Sequence, residues 1–159
     1  MTTQALPPRV TRRLAARSRI AIIRAEYNAE ITTSLETACV ATLRSAGVPS
    51  SGLDRFTVPG CFEIPIMAQR VARKRRYDAI IALGAVIRGG TRHFELVAAE
   101  CARGIMNVSL RHDVPVVFEV LAVYNRRDAL RRAGDNRMNK GIEAAATALS
   151  LLAQLDSLK

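Results

Sequence analysis

Apolar runs of strand length alternate with amphipathic stretches of helix length, and this predicts an α/β fold: a three-layer α/β/α sandwich around a four-stranded parallel sheet. Ile80 to Ile87 is an almost unbroken apolar run, as a strand covered on both faces requires. Phe94, Val97, Ala98, Cys101 and Ile105 follow it at helical spacing. Strands alternating with helices at these lengths need right-handed crossovers, which makes the sheet parallel. A length of 159 residues, with 49% hydrophobic and 24% charged residues, suits one domain burying a continuous core.

Residues 1–17 read as a basic N-terminal arm and 18–159 as the single domain. No acid precedes Glu26, a composition shared with organelle transit peptides, but strand character begins at Arg19, so an arm-like tail is expected. Ser18 to Ala25 is the first strand. Glu26-Tyr27-Asn28 turns the chain into a helix over 29–46, with Ile31, Leu35, Ala38, Cys39 and Thr42 as its stripe, Asn28 as N-cap and Gly47 as stop. Leu53 to Val58 is a second strand, cut short by Pro59-Gly60. A helix then runs from Cys61 or Phe62 to about Arg75. Its first turn tolerates Glu63 and Pro65, and its basic end complements the dipole. After the central strand and helix come a fourth strand (115–122), a short helix (126–133) and a last helix (139–155) with Ile142, Ala145, Leu149 and Leu152 on one face.

The net charge is +10, from 24 basic and 14 acidic residues. Nucleic acid, a membrane surface and an anionic substrate all suit such a charge. Only 4% of residues are aromatic, and no recognition-helix or RNA-binding-sheet pattern accompanies the charge, so nucleic-acid binding is a secondary reading. No apolar run reaches the roughly 18 residues of a membrane span. Cys39, Cys61 and Cys101 are odd in number and lack metal-like spacing, which fits reduced thiols of a cytoplasmic protein without disulfides or structural zinc.

Three strand ends carry unusual residues: Tyr27-Asn28 after the first, Gly60-Cys61-Phe62-Glu63 after the second, and Arg88-Gly89-Gly90-Thr91-Arg92-His93 after the third. A parallel sheet brings these ends to one edge, so an aromatic plate, a carboxylate, a glycine turn at a helix start and a histidine converge. Such a crevice suits a planar ring and a phosphate, with His93 as the proton carrier. Taken singly, Tyr27 is also a strand-end aromatic, Phe62 and Phe118 are also core residues, Glu63 a helix-start carboxylate and Arg132 a solvated arginine. His112 reads as a capping or solvated residue.

The blocks EYNAEIT (26–32), VPGCFEIP (58–65), ALGAVIRGGTRHFE (82–95), RAG (132–134) and NKG (139–141) resemble, in order and spacing, those of the 6,7-dimethyl-8-ribityllumazine synthase family. The resemblance runs from about residue 18 to 155 and is most specific in the second and third blocks. It implies a flavodoxin-like strand order and the penultimate step of riboflavin biosynthesis. In that step 5-amino-6-(D-ribitylamino)uracil condenses with 3,4-dihydroxy-2-butanone 4-phosphate, without cofactor or metal.

By motif position, the resemblance implies that Tyr27 stacks on the pyrimidine while Gly60, Cys61, Phe62 and Glu63 hold the ring and ribityl chain. Val86 and Ile87 would line the ring site with backbone groups, next to Ala85. Gly90, Thr91 and Arg132 would take the phosphate, and His93 would move protons. Phe118 and Lys140 would complete the pocket from a neighbouring subunit. The resemblance also implies a homopentamer, or a decamer or icosahedral shell built from pentamers. The loop from Gly134 to Lys140 has no insertion, which permits a shell, but Met138 stands where shell-forming members often have glycine. Tyr27 replaces the usual phenylalanine, Cys61 the usual alanine or serine, and Glu119 a common glycine.

Overall fold

The computed structural model describes residues 11–158. Four parallel strands, β1 (Ile20–Ala25), β2 (Leu53–Val58), β3 (Ala79–Ile87) and β4 (Val116–Val123), form one sheet in the order β2-β1-β3-β4. This is the expected flavodoxin-like order. The helices are α1 (Arg12–Arg17), α2 (Ala29–Ser45), α3 (Ile64–Ala72), α4 (His93–His112), α5 (Arg126–Ala133) and α6 (Lys140–Asp156).

Alternation along the central strands divides the interior into two cores. Ile20, Ile22, Ile81 and Leu83 point into a layer with Leu35, Cys39 and Leu43 of α2 and Ala145, Leu149 and Leu152 of α6. Ala21, Ile23, Ile80 and Ala82 face the other way, toward Ile64, Ala68 and Val71 of α3 and Cys101, Ile105 and Val108 of α4. This explains the continuous apolar run of β3, since each of its faces is covered. The packing of α6 on α2 depends on Gly141: a Cβ there would stand 2.0 Å from the Leu35 carbonyl oxygen.

Several elements differ from the sequence expectation. The arm reading covers residues 1–10, which lie outside the described residues, and Arg12–Arg17, which is helical. Thr11 caps that helix by accepting from the Leu14 N–H, Ala15 is fully buried, and Arg17 pairs with Asp156 at 2.8 Å, so tertiary contacts offset the short length. The segment after Gly60 begins as a 3-10 turn over Cys61–Glu63, and α3 stops at Ala72, short of Arg75. Lys74 and Arg75 donate to carbonyls three residues back, Arg75 turns left-handed at φ 49°, and the chain turns in to bury Tyr77, whose hydroxyl donates to Asp54 at 2.7 Å. The stripe of α2 uses Thr32 and Leu43, with Ala38 and Thr42 only half-buried. Among the described residues no helix is long and apolar enough to cross a membrane.

Candidate active site

Strands β1 and β3 are neighbours, but the chain leaves β1 toward β2 and leaves β3 toward β4. Their carboxyl ends therefore open a crevice between diverging connections, where parallel α/β sheets place ligands. It is an open cavity of about 990 Å³.

From the β1 end come Tyr27 and Asn28. Glu26 and Tyr27 donate their N–H groups to Val58 and Pro59 at 2.8 and 3.0 Å, which holds the backbone while the tyrosine ring stays 74% exposed. Asn28 occupies the N-cap position of α2 but its side chain does not cap. It sits left-handed (φ 61°, ψ 45°), and its Nδ2 donates 2.9 Å to the Ala85 carbonyl across the crevice.

From the β2 end come Pro59, Gly60, Cys61, Phe62 and Glu63. The Glu63 carboxylate folds back on Gly60, 3.0 Å from where a Cβ would stand, while the Phe62 ring is exposed. The Cys61 thiol is buried against Gly84, where an added Cβ would meet Sγ at 2.5 Å. Burial pushes this thiol up to about 11, a hydrogen bond from the Ala85 backbone works in the opposite direction, and the Glu63 charge raises it further. Near neutral pH Cys61 is thus a thiol, which suits packing and not nucleophilic attack. Cys101 is likewise raised to about 12 by burial.

From the β3 end come Ala85, Val86 and Ile87, then Gly89 and Thr91 of the turn and His93 at the start of α4. The positions a Cβ would take at Gly89 and Gly90 have nothing within 4 Å, so the turn is open, and Gly90 lies in it between two lining residues. Thr91 Oγ1 accepts from the His93 N–H at 3.4 Å, and the N-cap Arg92 makes no side-chain cap bond. Backbone donors at the head of a twenty-residue helix beside this open turn favour an anion.

The cavity thus brings together Tyr27, Gly60, Cys61, Phe62, Glu63, Ala85, Val86, Ile87, Thr91 and His93. Phe118, Arg132 and Lys140 do not line it. Phe118 is exposed on β4, Arg132 Nη1 donates to the Asp128 carbonyl at 3.1 Å within α5, and Lys140 pairs with Glu143 in the first turn of α6. Close to that pair, Glu119 points from β4 toward α6; burial first, then the Glu143 charge, raise its carboxyl to about 7 against the lowering effect of Lys140.

Asn28, Pro59, Gly89, Phe94, Leu96 and Val97 also line the cavity; Asn28 and Gly89 stand at the strand ends expected to converge, but none of the six carries a binding role by motif position. Phe94 and Val97 read as core from their spacing. Their places one and four residues after His93, on the face of α4 that meets the turn, were the usable signal. Residues 17–156 match the family model for 6,7-dimethyl-8-ribityllumazine synthase.

Proposed function

The chain belongs to the 6,7-dimethyl-8-ribityllumazine synthase family, and on that premise we propose that it condenses 5-amino-6-(D-ribitylamino)uracil with 3,4-dihydroxy-2-butanone 4-phosphate, releasing phosphate and water. The observation that carries this reading is the single cavity holding a ring-sized aromatic plate, a carboxylate, an open helix-start turn and a histidine. Tyr27 stacks on the pyrimidine, the Ala85–Ile87 rim meets its polar edge, and Glu63 accepts from ribityl hydroxyls. The butanone phosphate lies toward Thr91 and the head of α4, next to His93.

Amine attack on the ketone, imine formation and phosphate elimination each move a proton near neutral pH, which suits an imidazole at that place. Holding two reactants in register supplies a further large part of the acceleration. The phosphate needs a cationic partner as well, and a guanidinium fork fits it. Arg132 does not line this cavity in its own chain, which supports an arrangement in which Phe118, Arg132 and Lys140 of another copy close it. We therefore infer a homo-oligomer of pentameric type. Mixing the protein with both substrates should produce the coloured, fluorescent lumazine; no product from a correctly assembled protein would overturn the reading.

A further inference from the structure

The last pair between β1 and β3 is Arg24 with Leu83, whereas β3 stays paired to β4 as far as Ile87 with Val123. In a parallel ladder a residue sends its N–H and C=O to the same side, and the side alternates along the strand. The N–H of Ile80 and of Arg88 go to carbonyls on the β4 side, so the even-numbered residues of β3 face β4 and the odd-numbered ones face β1. Ala85 and Ile87 therefore turn their backbone groups toward β1 beyond the point where β1 has ended. The Ala85 side chain is buried, so its peptide groups cannot be left unpaired without cost.

Two side chains meet that residue. Cys61 Sγ hydrogen-bonds the Ala85 backbone, and Asn28 Nδ2 donates to the Ala85 carbonyl at 2.9 Å. Asn28 reaches it from a left-handed backbone conformation in which its side chain forgoes the capping bond usual at a helix start. We propose that Asn28 is a positioning residue: its amide stands in for the missing continuation of β1 at Ala85, and so fixes the Val86–Ile87 rim on which the pyrimidine is read. The role in substrate binding rests on the proposed function; the role in holding the rim does not.

Asn28→Gly is the informative variant, because glycine adopts this backbone conformation without strain while losing the amide. Asn28→Asp keeps the side-chain shape but, ionised, cannot donate to a carbonyl. In both variants the backbone of residues 84–88 should exchange hydrogen about tenfold faster than in the unaltered protein, with the melting temperature within about 4 °C of it. The KM for the ribitylaminouracil should rise about tenfold, while that for the butanone phosphate moves less than about twofold. Unchanged exchange at 84–88 in both variants overturns the proposal. So does faster exchange with an unmoved pyrimidine KM, which would leave Asn28 a purely structural contact, and so does an equal rise in both KM values. If the unaltered protein makes no lumazine, the functional reading falls instead, and the exchange measurement alone decides whether Asn28 holds the rim.

Discussion

His93 and Glu119 stand at opposite ends of what single residues reveal. His93 lines the cavity at the first position of α4, so His93→Ala should lower turnover by about 10- to 1,000-fold with the assembly intact, as expected for losing an acid-base group. Steady-state kinetics beside size-exclusion chromatography checks this, and unchanged turnover in a correctly assembled variant removes His93 from the mechanism. Glu119 is a matter of stability. Its carboxyl is raised from 4.5 to about 7 in the folded protein, mainly by burial, so the folded state favours the neutral acid. A raised carboxyl contributes stability that is fully present below about pH 4.5 and is lost as pH climbs through about 7, at most on the order of 3 kcal/mol. The melting temperature should therefore fall between about pH 5 and pH 8, and Glu119→Gln should flatten that fall; equal slopes in the two proteins would contradict the assignment. That Tyr27, Glu63 and His93 share one cavity was legible because a parallel sheet must bring its strand ends together. The bond from Asn28 to Ala85 was not, since it joins residues 57 apart through a side chain that local rules assign to a helix cap.

At the scale of elements, strands and long helices followed from periodicity, and the departures lie where tertiary contacts overrule local preference. The helix Arg12–Arg17 is too short and too basic to be read as one, yet a buried Ala15 and the Arg17–Asp156 pair hold it. The α2–α6 crossing was equally hidden, because a helical glycine reads as a weakness until the neighbouring backbone is known. With a Cβ at 141 only 2.0 Å from the Leu35 carbonyl oxygen, Gly141→Ala must push the two helices apart, and about 2 kcal/mol or more of stability should be lost. Gly89→Ala, with open space around the added atom, is the control and should cost well under about 1 kcal/mol. Chemical denaturation of both variants checks the contrast.

For the whole molecule, the apolar residues left outside the cores matter most. Leu96, Met106 and Leu110 of α4 are each more than half exposed, on the outer side of a helix whose inner side carries Cys101, Ile105 and Val108. Such exposure is what the proposed association between copies would cover. Light scattering should find a particle of at least five subunits. Combining Met106→Glu with Leu110→Glu should break it into smaller species and abolish lumazine formation at the same time, because each pocket would lose its neighbour's share. A stable monomer of full activity would contradict this.

The ion pair between Arg17 and Asp156 also bears on how the molecule can be rebuilt. It places α1, at the start of the described residues, against the end of the last helix, so the described path of residues 11–158 nearly closes on itself. A chain in which Leu158 is joined to Thr11 through a short flexible linker, and which is reopened between the exposed Asn136 and Arg137, would keep every strand crossover and both cores. Circular permutation at that point should leave the melting temperature within about 10 °C of the original.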